Sequence, residues 1–150
     1  MRRIDMVVIH CSATPNGRSH EVNEIRRWHM FERGWSDIGY HFVITVDGRI
    51  QAGRPMERPG AHARGCNQHS IGVCMVGEDA FSKAQERALS QLLSDLEAQL
   101  PDEFAVVGHR QLNPHKSCPG FDVARWRVGE APFPLMAGAH IAQQEPSNGA

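Results

Sequence analysis

Two short apolar runs each lead to a histidine. Val7-Val8-Ile9 runs into His10, and Phe104-Ala105-Val106-Val107 runs through Gly108 into His109. Short apolar runs rich in Val and Ile read as buried strands. If the two strands lie side by side in one sheet, both histidines arrive at the same edge. The second run continues as Arg110-Gln111-Leu112-Asn113-Pro114-His115-Lys116-Ser117-Cys118-Pro119-Gly120, a loop that carries a lysine and a cysteine. Zinc takes imidazole nitrogen and thiolate sulfur, and a catalytic zinc usually has three protein ligands and one open position. His10, His109 and Cys118 are the candidate ligands. Spacing alone leaves a second reading open. The chain has nine histidines, most histidines bind nothing, and a lone cysteine is more often a buried small hydrophobe. The spacing does not match a zinc finger, which requires close Cys/His pairs.

Length and composition set the outer bounds. At 150 residues the chain is about one domain. Its 41% hydrophobic and 22% charged residues are those of a globular protein. A net charge of −1 and a pI near 6.7 give no electrostatic case for nucleic acid. No apolar run approaches the ~18–20 residues of a membrane span, so no membrane insertion is expected. Arg2 and Arg3 precede an apolar run, but the run is short and Asp5 precedes it. It reads as a first strand rather than a signal peptide, which implies synthesis in the cytoplasm. The four cysteines at 11, 66, 74 and 118 are then expected to be reduced. Cys11 and Cys74 are expected to pack in the core, and Cys66 sits in a polar loop.

Along the chain, residues 4–11 read as a strand and 12–18 as a loop. Ser19 is a plausible N-cap for a helix to about Arg33, with Gly34 in the αL position. Its stripe Val22, Ile25, Trp28 is expected to be core packing. Residues 40–46 and 49–52 flank Asp47-Gly48, a type I′ hairpin signal. A Gly/Pro/Arg-rich loop at 53–69 precedes a strand at 70–76. Ser82-Lys83-Ala84-Gln85 is a capping box opening a helix that Pro101 stops. Asp122 can cap a last short helix. Strands interspersed with two long helices predict an α/β fold, a central mixed sheet of about five strands flanked by helices in a single domain. The folded domain is expected over residues 1–131, with a flexible tail over 132–150.

Four blocks carry a family resemblance. They are Val8-Ile9-His10-Cys11-Ser12-Ala13-Thr14; Trp35-Ser36-Asp37-Ile38-Gly39-Tyr40-His41-Phe42; Gly60-Ala61-His62-Ala63 through Asn67 and Ser70-Ile71-Gly72-Val73; and Gly108-His109-Arg110 through Lys116-Ser117-Cys118-Pro119-Gly120-Phe121-Asp122. In this order they resemble the type-2 N-acetylmuramoyl-L-alanine amidases, the family of phage lysozyme-like amidases and peptidoglycan recognition proteins. The resemblance covers roughly residues 5–126. It implies a Zn2+ ion held by His10, His109 and Cys118, with Tyr40 and Lys116 as the catalytic pair. It also implies a loop bordering the groove, in which His62 and Asn67 are substrate-contact candidates.

The implied reaction is hydrolysis of the amide between N-acetylmuramic acid and the L-alanine of the peptidoglycan stem. Zinc polarises a carbonyl and lowers the pKa of water to about 7. Lys116, two residues before Cys118, can stabilise charge on the substrate oxygen. Tyr40 can orient or help deprotonate the attacking water, or donate to the oxyanion, and Gly39 before it can let substrate approach. His115 is an extra candidate ligand, expected to point outward. His41 follows Tyr40 in a strand and is expected on the opposite face of the sheet. Some family members only bind peptidoglycan and lack the thiolate; muropeptide-recycling members use an aspartate instead. Cys118 argues against both. A structural zinc protein is disfavoured by three ligands with Lys116 beside them. The expected partner is peptidoglycan, met by a monomeric endolysin of phage or prophage type that reaches the wall after another factor releases it.

Overall fold

The structure is a computed structural model that describes residues 2–137. Strand β1 (Met6–Cys11) is followed by helix α1 (Val22–Glu32), β2 (Phe42–Ile44), β3 (Ile50–Ala52), a 3-10 turn (Asn67–His69) and β4 (Ser70–Met75). Then come α2 (Lys83–Gln99), β5 (Ala105–Gly108), the one-turn α3 (His109–Leu112) and α4 (Val123–Arg127). The five strands form one sheet in the order β3-β2-β4-β1-β5. β1 runs parallel to both β4 and β5, β2 runs parallel to β4, and only β3 is antiparallel. This is the mixed five-stranded α/β sheet expected from the sequence.

The central strands are buried on both faces, which explains their continuous Val and Ile content. Val7, Ile9, Ile71, Val73 and Met75 join Leu89, Leu93 and Leu96 of α2 in the larger core. Cys74 and Val43 face the other way and pack with Ile25 of α1, Ile38 and Val76. His10 pairs in register with Cys74, so it lies on the α1 side of the sheet. The four cysteines are unpaired, and Cys11 and Cys74 are buried as expected. No helix among the described residues is long and apolar enough to cross a membrane.

The capping box at Ser82 forms, with Gln85 backbone N–H donating to Ser82 Oγ and Ser82 N–H to Gln85 Oε1. Asp122 caps α4. Gly34 has φ +70°, as its αL position requires. Three local expectations are corrected. Helix α1 begins at Val22 with Glu21 as N-cap, not Ser19. Val22 N–H donates to Gln51 Oε1 on β3 at 2.8 Å, a long-range cap that fixes the start. The hairpin is not type I′, because Asp47 does not have positive φ. Gly48 N–H bonds Thr45 carbonyl and Thr45 N–H bonds Arg49 carbonyl, so a turn over 45–48 ends in Gly48 at φ +87°. This is the turn-plus-bulge hairpin with a longer loop.

The third correction concerns the domain end. Phe133 is buried and stacks with Phe121, Trp126 and Phe81 at centroid distances of 5.4, 5.5 and 6.0 Å. Phe81 N–H donates to Pro134 carbonyl, and Met136 N–H donates to Phe81 carbonyl. The packed chain therefore runs past residue 131. The rest of the expected tail, residues 138–150, lies outside the described residues.

Candidate metal centre and active site

Ile9 of β1 pairs with Gly108 of β5, so the residues that follow, His10 within β1 and His109 just past β5, lie at the same end of the sheet. Their ring centroids are 4.5 Å apart. His109 starts α3 rather than ending the strand. The loop after α3 folds back on itself. His115 N–H donates to Asn113 Oδ1, Lys116 N–H to Asn113 carbonyl, and Arg110 N–H to Cys118 carbonyl. This return brings Cys118 Sγ to the end of β1, where it accepts Cys11 N–H at 2.8 Å. One nitrogen of His10, one of His109 and Cys118 Sγ all lie within 4.8 Å of one another. His115 is exposed and outside this cluster.

The donor set fits zinc. Two imidazoles and one thiol match a three-ligand catalytic site. Burial, then the neighbouring His62 and His109, holds His10 well below its ordinary pKa. His109 is also lowered, by burial and then by the Lys116 ammonium. Both shifts favour the neutral imidazole, the form that can bind a metal. Contact with the Cys11 thiol, followed by burial, pushes the Cys118 thiol up. A cation seated among these groups reverses that balance, because a coordinating thiol is deprotonated outright.

His109 and Cys118 of this cluster line a groove of about 640 Å³, while the buried His10 is not among its lining residues. Tyr40, Lys116, His115, Cys11 and Cys118 line it. Tyr40 stands beside His10, with centroids 5.1 Å apart. Burial pushes its phenol well above the ordinary value. Lys116 is exposed on the loop. The sequence reading missed one wall. Ile25, Trp28, His29 and Arg33 of and beside α1 line the groove, so the α1 stripe is not only core packing. His29 could have been found, since it stands four residues after Ile25 on the same helical face. Gly39 N–H donates to its Nδ1, and burial followed by Arg33 and Arg54 lowers it to about 4. Glu78 and Asp79 also line the groove, and no sequence signal marked them.

Other expected residues fall elsewhere. His62 and Asn67 are not among the groove-lining residues. His62 Nδ1 lies 2.9 Å from His10 Nε2, behind the metal cluster. Asn67 Oδ1 accepts the backbone N–H of His62 and Ala63 and so shapes the loop. Gly39 gives room to the Ala61 carbonyl and the Trp35 ring, not to substrate. His41 is not on the opposite face. Its ring lies 5.9 Å from that of His62, on the His10 side. The strand starts only at Phe42, so alternation does not extend back to Tyr40. Gly72 N–H and the Arg58 carbonyl occupy the two nitrogens of His41, and it stays out of the metal cluster for that reason.

A mixed sheet that brings two imidazoles and a thiol together beside a groove has the donors to hold a metal ion. Residues 1–121 match the N-acetylmuramoyl-L-alanine amidase family, and the chain belongs to that family. It is an enzyme, and its reaction is hydrolysis of the amide between N-acetylmuramic acid and L-alanine in peptidoglycan. Among its relatives is the endolysin of Escherichia phage T7, 44% identical over 131 residues, covering 81% of this chain and 84% of that one. A peptidoglycan-recognition protein SC2 of Drosophila melanogaster is 36% identical over 108 residues, covering 69% and 58%. Among solved structures, the N-acetylmuramoyl-L-alanine amidase LysC of Clostridium intestinale superposes with a TM-score of 0.73 at 28% identity, covering 85% of this chain and 86% of its own. Drosophila PGRP-LB superposes at 0.75 and 28%, covering 89% and 84%.

Proposed function

We propose that this chain is a zinc-dependent endolysin whose ion is held by His10, His109 and Cys118. The observation that carries the reading is the convergence of those three donors within 4.8 Å of one another, with His109 and Cys118 lining the groove that Tyr40 and Lys116 also line. When bound, the ion supplies Lewis-acid polarisation of the amide carbonyl and an acidified water. The chain's own groups supply the rest. Lys116 places a positive charge where the amide oxygen becomes negative, the role of an oxyanion donor. The Tyr40 phenol is protonated at neutral pH, and burial pushes its pKa further up, so it acts as a hydrogen-bond donor to the reacting oxygen. Arg33, Arg110 and Glu78 line the same groove and suit a stem peptide that carries both amines and carboxylates.

The endolysin role rests on relatives from four phages that are endolysins, at 41–44% identity. In that role the protein is made in the cytoplasm as a monomer. It reaches the wall once a separate factor has opened the membrane. Cys118 disfavours a module that only binds peptidoglycan, because the thiolate completes a hydrolytic site. The test is metal analysis of the purified protein. Wild type should carry about one zinc per chain, and Cys118→Ser should lose most of it. Full occupancy in Cys118→Ser, with loss in His115→Ala, would move the site to His115. Removal of zinc with a strong chelator should stop digestion of peptidoglycan, and added zinc should restore it.

A further inference from the structure

We infer that His62 is a positioning residue for the metal centre: its Nδ1 accepts the Nε2–H of His10 and so turns the other nitrogen of His10 toward the ion. This rests on the zinc site proposed above. The contact is 2.9 Å, with the two rings edge-to-face at 90°. A neutral imidazole has one N–H and one lone pair. With Nε2 engaged, His10 has only Nδ1 left for a metal. Nδ1 must then be unprotonated, so the proton of His10 is on Nε2 and is donated to His62. His62 Nδ1 is thereby an acceptor, and its own proton is on Nε2. That atom lies 3.2 Å from Ser70 Oγ, a fully buried hydroxyl that can accept it. Each proton along His10, His62 and Ser70 thus has one place. Metal-ligating histidines generally donate their second N–H to such a partner, which fixes tautomer and ring angle.

The surrounding residues hold His62 in that position. A Cβ on Gly72 would lie 2.6 Å from the His62 ring, so only glycine lets the ring rest on β4. A Cβ on Gly60 would also lie 2.6 Å from it. Asn67 Oδ1 ties down the His62 and Ala63 N–H groups at 2.9 and 3.0 Å. The Gly60, His62, Asn67, Ser70 and Gly72 pattern is thus one device directed at His10. It does not form a groove wall.

The experiment compares zinc affinity in the full-length protein, measured by chelator competition, for wild type and three variants. His62→Leu keeps volume and removes the acceptor. His62→Asn places Oδ1 near the position of the imidazole Nδ1. His62→Gln places its amide near Nε2 and leaves a methylene facing His10. Loss of an outer-shell partner typically weakens metal binding about 10- to 100-fold. We expect that loss in His62→Leu, most of the affinity regained in His62→Asn, and weaker binding in His62→Gln than in His62→Asn. The visible spectrum of the cobalt-loaded protein should shift in His62→Leu and return in His62→Asn. Wild-type affinity in a folded His62→Leu would overturn the inference, as would equal affinities in the Asn and Gln variants. The Asn/Gln comparison decides the matter even if His62→Leu does not fold. No zinc binding by wild type would overturn the metal centre itself, an outcome separate from either of these.

Discussion

Lys116 and Tyr40 stand beside the proposed metal ligands without belonging to them, and this gives a prediction at the scale of single residues. Both are assigned to charge that develops only in the transition state, and such interactions act on kcat. Lys116→Ala and Tyr40→Phe should each lose on the order of 100- to 1000-fold in turnover. Zinc content and melting temperature should stay near wild type. Lys116→Arg should recover part of the rate, because it restores the charge. Near-wild-type turnover in Lys116→Ala would remove it from the mechanism. Local pattern suggested that His10, His109 and Cys118 could converge, from two apolar runs leading to histidines and a cysteine in the loop after one of them, but their assignment as a ligand set came from the family resemblance. The placement of His62 was not legible. It depends on Gly72 lying under the ring, a contact between a loop and a strand that spacing does not encode.

Helix α2 shows what the elements require of one buried polar side chain. Gln85 is fully buried. Its Nε2 donates to the Val76 and Ile44 carbonyls at 2.9 and 3.3 Å, where the chain leaves β4 and β2. Its Oε1 accepts the Ser82 N–H that opens the helix. The capping box was readable from Ser82 and Gln85, but the second use of Gln85 against the sheet was not. Gln85→Leu keeps size and leaves these groups without their partner. Each unsatisfied buried group costs about 1–3 kcal/mol. Urea unfolding should therefore show a stability loss of at least about 1 kcal/mol, and an unchanged midpoint would contradict this account of the helix start. The start of α1 was misplaced for a related reason. Its first N–H is satisfied by Gln51 from another element, which outweighs the local preference for Ser19 as cap.

The whole molecule closes around residues that the sequence assigned to a tail. Pro, Gly and Ala after residue 129 suggest loose chain, yet Phe133 fills a space among Phe81, Phe121 and Trp126. A single aromatic in such a segment gives no periodic signal, so composition alone misreads it. Phe133→Ala should lower stability by about 3 kcal/mol, at the low end for buried aromatics because the site is at the edge of the core. A chain ended after residue 131 should melt lower than one ended after 137. Equal melting of the two would show that the aromatic contact contributes nothing. The groove follows from the larger pattern, in which parallel β1 and β4 are central and buried and β5 pairs with β1 at the edge of the sheet. A mixed sheet was legible from the alternation of strands and helices, but the strand order was not, and it is the β1–β5 pairing that sets His10 beside His109.

The central claim is that this groove cuts one particular amide. Mass spectrometry of peptidoglycan digested by the zinc-loaded protein tests it most directly. The account predicts stem peptides released with free L-alanine amino termini and glycan strands left at their original length. New reducing sugar ends without new amino groups would contradict it.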